Sequence, residues 1–147
     1  MRRIITAISA IALFLVISAC SKSDNNKPSD ARTVANLSGS YTITALTGSV
    51  GGVSINLYDS LKPCERDNVV QLDNTGIATF IDANTQCVPP SDSTGTWSLS
   101  SNTDTIYVAG GASYIKSWDG TTLVLTNTET ISGIPVPVIA TTTLQKK

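Results

Sequence analysis

Histidine is absent from the 147-residue sequence. That removes the commonest general base and the commonest metal ligand. Serine–histidine and cysteine–histidine nucleophile pairs are excluded with it. A zinc site would lack its usual ligands, because there is also no Cys-x-x-Cys. Charge is scarce, at 14% of residues. Setting aside Arg2 and Arg3, eight basic side chains face eleven acidic ones, a net charge of −3, so nothing here forms a basic footprint for nucleic acid. Only seven aromatic residues follow position 20, which limits the core. No stretch beyond that point sustains a 3.6-residue hydrophobic period, and this argues against a helical bundle.

The one long apolar run lies at the start. After Arg2 and Arg3, Ile4 to Ala19 carries no charge. It is short for a membrane span of ~20 apolar residues and has the layout of an export signal. It ends in Ile17-Ser18-Ala19-Cys20, which looks like a lipobox. There an aliphatic residue and two small ones precede a cysteine that takes diacylglycerol before cleavage. The expected divisions are a lipoprotein signal peptide over 1–19, the lipidated Cys20 with a flexible tether over 20–36, and one domain over 37–147. Residues 21–36 are polar and lack aromatics, too little to bury on folding. Ser21, standing where aspartate would suggest inner-membrane retention, favours the outer membrane.

With Cys20 assigned to lipid, Cys64 and Cys87 remain. An even pair in an exported domain reads as a disulfide. A metal pair and two free thiols are the alternatives.

From Leu37 onward the pattern alternates with period two, one face buried and one wet. Tyr41, Ile43 and Ala45 alternate with Thr42 and Thr44; Trp97 and Leu99 alternate with Thr96 and Ser98. Turn residues separate the runs at Asp73-Asn74-Thr75-Gly76, Ser100-Ser101-Asn102, Gly110-Gly111 and Asp119-Gly120. Strands are expected near 39–47, 67–73, 76–82, 94–99, 104–109, 111–117, 121–128 and 136–144, with a further candidate at 51–57. Short connections imply an antiparallel meander. Pro135 and Pro137 confine the start of the last strand to an edge or a bulge. Placing Asn74-Thr75 at the tip of its hairpin predicts Leu72 opposite Ile77, Val70 opposite Thr79 and Asp67 opposite Asp82. Cys64 then falls two residues from level with Cys87, a reach compatible with a disulfide.

Few residues suggest chemistry. Ser113-Tyr114-Ile115-Lys116 has the Ser-x-x-Lys spacing of penicillin-recognising enzymes, but it lies in an alternating strand without the partner motifs. Gly48-Ser49-Val50-Gly51-Gly52 lacks the Lys-Ser/Thr of a phosphate loop and reads as a flexible turn. Asp67, Asp73 and Asp82 could hold a cation or exchange protons; loop charge is the simpler reading. Tyr41, Phe80, Trp97 and Trp118 are the candidates to line a ligand cavity, against the default of core packing.

The order Leu37-Ser38-Gly39-Ser40-Tyr41, Cys64-Glu65-Arg66-Asp67-Asn68, Cys87, Gly95-Thr96-Trp97-Ser98-Leu99 and Leu123-Val124-Leu125 resembles the lipocalin-like domains of Gram-negative envelope lipoproteins. Tyr41 departs from the tryptophan that family often carries. The resemblance, over about 37–145, implies a small up-and-down barrel of about eight strands. A β-sandwich is the alternative fold, although Trp97 follows both cysteines instead of lying between them.

The expected function is non-enzymatic, without cofactor. It is a lipid-anchored envelope protein, in the outer membrane, that binds a small apolar ligand or a partner protein. A structural or accessory lipoprotein with a filled barrel is the alternative, and an open apolar cavity of ~300 Å³ or more would separate the two.

Overall fold

The computed structural model describes residues 30–130 and 136–147. The export signal, Cys20, the tether as far as residue 29, and Pro135 lie outside the described residues. Nine strands follow one another: β1 (Gly39–Val50), β2 (Val53–Asn56), β3 (Val69–Leu72), β4 (Ile77–Ile81), β5 (Ser93–Leu99), β6 (Thr105–Val108), β7 (Gly111–Trp118), β8 (Thr122–Glu129) and β9 (Val138–Lys146). From β3 to β9 each pairs antiparallel with the next, and β1 pairs with both β3 and β9. The single sheet therefore closes on itself as an eight-stranded up-and-down barrel, with β2 as an extra strand on β1. A sandwich of two sheets is excluded. Two one-turn helices, α1 (Val34–Leu37) and α2 (Pro63–Arg66), complete the fold.

The hairpin at 73–77 corrects the expected register. Val70 pairs with Phe80 and Leu72 with Ala78, one residue away from the expectation, so Asp67 and Asp82 are not opposite one another. The loop has three residues, not two: Asp73 N donates to the Ile77 carbonyl, and Gly76 takes φ +91°. A left-handed third residue is the usual device of a three-residue hairpin, and glycine adopts it without cost. Asp73 closes the loop by accepting from the Thr75 and Ile77 amides, both at 2.8 Å.

The segment at 48–52 also differs from the expected turn. Gly48 to Val50 belong to β1, and only Gly51 and Gly52 form the loop to β2, with φ +57° and +85°. Positive φ at both central residues matches the tight hairpin turn that follows strand twist.

Two bulges change which side chains face inward. In β7 the ladder to β8 slips between Ile115 and Ser117, leaving Lys116 as the extra residue. Ile115 and Trp118, three apart, are thereby both buried. In β1 the slip falls between Ile43 and Ala45. Beyond exposed Thr44, Leu46 shares a face with Thr142 and Ala45 turns outward. The alternation expected through Ala45 stops at the bulge.

One end of the barrel is filled. Leu37, Tyr41, Leu72, Trp97, Ile106, Ile115, Trp118 and Leu123 form a continuous buried cluster there. The Tyr41 and Trp118 rings meet at 6.4 Å and 59°, a tilted aromatic geometry. The Tyr41 hydroxyl donates to the Leu37 carbonyl at 2.6 Å, so α1 is bolted across this end as a plug. Burial pushes the Tyr41 phenol up to about 12, which keeps it a neutral donor. Arg32 pairs with Asp104 at 3.0 Å, and Lys146 Nζ donates to the Asn36 carbonyl at 2.8 Å. These contacts fix Arg32 before α1 and Asn36 within it, both in the stretch read as tether. At Asp119 the Thr121 and Thr122 amides donate to the carboxylate and hold it down at about 2.

Candidate functional site

The opposite end is open because β1 changes partner. Its first residues, Gly39 to Thr42, pair with β3, whereas Thr47 to Val50 pair with β2. Between them the wall separates, and the chain crosses the gap as residues 57–66, which carry a short 3-10 turn (Tyr58–Ser60) and α2. Proline at the first position of α2 suits a helix start, and the Lys62 amide donates to Glu65 Oε2 at 2.9 Å.

Two adjoining chambers lie beneath this end. The first, about 330 Å³, is lined by Ile43, Leu61, Glu65, Asn68, Val69, Val70, Phe80, Ser91 and Ser93. The second, about 260 Å³, is lined by Ile43, Val70, Phe80, Val108, Ser113, Leu125, Asn127, Thr142 and Leu144. Ile43, Val70 and Phe80 belong to both and form the shared wall. Side chains from the middle of the strands are apolar apart from Thr142 of β9. The other polar ones come from α2, Asn68, the 82–92 loop and the outer strand ends, so the site has a mostly apolar interior and a polar mouth.

The Cys64–Cys87 disulfide, expected from the sequence, is formed, with Cα atoms 5.2 Å apart. It ties α2 to the 82–92 loop, on two sides of the mouth. Asp82 orders that loop from within: its Oδ2 accepts from the Cys87 amide at 2.9 Å and the Ser91 amide at 3.1 Å. The Asn68 amide, oriented to satisfy both its ends, donates to Asp82 Oδ1 and to the Cys64 carbonyl. Asp67 Oδ2 accepts from the Thr85 amide at 3.0 Å. Backbone amides thus occupy Oδ2 of each of these two carboxylates, and among the described residues no cluster of three metal-ligating side chains occurs. Asp73 stands at the other end of the barrel.

The four aromatic candidates separate. Phe80 lines both chambers. Tyr41, Trp97 and Trp118 lie in the filled end, and the Trp97 indole N–H donates to the Asp73 carbonyl at 2.7 Å. Ser113 reaches the second chamber, whereas Lys116 is exposed at its bulge, so the Ser-x-x-Lys spacing brings no nucleophile to a base. Ile43, Val70, Leu125 and Thr142 were not singled out from the sequence. Their inward positions in the strands mark them only as core, and the closure of the sheet makes them a cavity wall.

A family model described as a lipocalin-like domain matches residues 37–125. No curated protein and no solved structure matches the chain.

Proposed function

The chain belongs to the lipocalin-like domain family, and from that premise we propose that it is a lipid-anchored envelope protein whose barrel holds a small apolar ligand without transforming it. The observation that carries this reading is the pair of chambers that share Ile43, Val70 and Phe80 in their lining. The larger, about 330 Å³, lies within the range of small-molecule sites, which are mostly apolar with a few convergent polar groups. It favours binding over a barrel filled by its own side chains. The lack of histidine in the sequence, and of a nucleophile–base pair among the described residues, supports the non-enzymatic part.

The test is dye binding. A naphthylamine dye that brightens in apolar surroundings is expected to bind the exported chain. Val70→Trp places an indole in the shared wall, and is expected to weaken dye binding about tenfold or more while the far-ultraviolet spectrum is unchanged. Equal affinity in a folded Val70→Trp protein would show that the chambers are not the binding site.

The anchor is a separate part of the proposal and rests on Ile17-Ser18-Ala19-Cys20. Cys20→Ala is expected to abolish incorporation of labelled fatty acid into the protein. Persistent labelling of that variant would sink the lipobox reading.

A further inference from the structure

The polar groups that line the chambers are unevenly charged. They are Glu65, Asn68, Ser91, Ser93, Ser113, Asn127 and Thr142. Among these described lining residues one carboxylate appears, and no lysine or arginine. The cations nearest in sequence are directed elsewhere. Arg66 donates to the Leu61 carbonyl at 3.0 Å and the Asp59 carbonyl at 2.7 Å, with its guanidinium 5.6 Å from the Tyr58 ring centre. Lys62 Nζ stands 3.9 Å from Glu65 Oε1 with its side chain 73% exposed, so it is a solvated counter-charge and not a lining group. Lys116 points outward from its bulge.

Behind the lining stands more negative charge. Asp82 is buried and holds Asn68 from the far side. Asp92, exposed at the rim, accepts from the Asp82 amide at 2.7 Å. Asp67, next to Asn68, has one carboxylate oxygen buried with no hydrogen-bond partner. A ligand carboxylate entering this mouth would lose water, find no cation among the lining residues, and meet the Glu65 carboxylate, with Asp67 and Asp82 held behind Asn68. Burying an unpaired charge is costly, and like charges at close range add to the cost. A hydroxyl or amine would instead meet hydroxyl and amide groups that accept hydrogen bonds.

We propose that the cavity selects amphiphiles whose head group hydrogen-bonds but carries no negative charge, and discriminates against fatty carboxylates. This rests on the binding function proposed above and adds the ligand class to it.

The experiment displaces the same naphthylamine dye from the exported chain with three ligands of one chain length: decanol, decylamine and decanoate, at neutral pH. Decanol and decylamine are expected to displace at concentrations about fivefold or more below that of decanoate. A Glu65→Gln variant keeps an oxygen for the Lys62 amide, and is expected to narrow the gap between decylamine and decanoate. Equal displacement by all three, or tighter decanoate binding, would overturn the selectivity while leaving the binding function intact. Failure of the dye and of all three ligands to bind would overturn both.

Discussion

Trp97→Ala is expected to destabilise the domain by about 3–5 kcal/mol, the usual cost of truncating a buried aromatic residue. Trp97 is 3% exposed within the filled end of the barrel. Its indole N–H meets the Asp73 carbonyl at 2.7 Å, and its backbone amide meets the Gly76 carbonyl at 2.8 Å. Truncation leaves a void among Leu72, Ala78 and Ile106, and strips a hydrogen bond from the carbonyl that opens the 73–77 loop. The substitution thus affects the core and a hairpin together. Domains of this size have about 5–15 kcal/mol of total stability, so the variant approaches the unfolding limit. Denaturant midpoints decide the matter, and a loss under about 1 kcal/mol would mean that the indole is not structural. Because Trp97 lies outside both chambers, dye affinity of the folded fraction is expected to be unchanged, in contrast to Val70→Trp.

Removing the disulfide, by changing both Cys64 and Cys87 to serine, is expected to cost about 3 kcal/mol. The cysteines are 23 residues apart in sequence, and opening a loop of that length returns about this much chain entropy to the unfolded state. The thermal midpoint should fall by on the order of 10 °C. A second effect follows from where the bond lies. It joins α2 to the 82–92 loop across the mouth, so its loss should weaken dye binding at temperatures where the barrel is still folded. An unchanged midpoint would show that Asp82, with its amide contacts, holds this region without the bond.

Much of the architecture was legible in the sequence because alternation and turn residues are local signals. The strand sequence and the Asp119 turn follow from such signals, the cysteine pair follows from an even count in an exported domain, and closure into a barrel was implied by the family resemblance. What was missed depends on partners. A three-residue loop and a two-residue loop at Asp73-Asn74-Thr75-Gly76 differ by which carbonyl the Asp73 amide reaches, and that moved every pair in β3–β4 by one. The bulges at Thr44 and Lys116 exist only relative to β9 and β8. The helical turns at 34–37 and 63–66 are too short to show a period. The candidate site was the least legible part. Phe80 and Trp97 look alike in sequence, as inward aromatics on neighbouring strands. They are separated by the change of partner along β1, which opens one end of the barrel while α1 seals the other.

The plug also sets a direction. Because α1 and Arg32 are fastened over the sealed base, the polypeptide arrives at the base and the opening lies at the far side, like a cup standing on a stalk. If Cys20 is the membrane attachment, as proposed, the eleven residues from Ser21 to Ala31 span at most about 40 Å. The lip of the cup is then the end of the barrel opposite the attachment to the bilayer. A guest drawn from that bilayer would require the cup to tip over on its stalk, whereas one arriving from the opposite side enters directly. Shortening the stalk should therefore slow exchange with the attached membrane and leave uptake from solution unaffected.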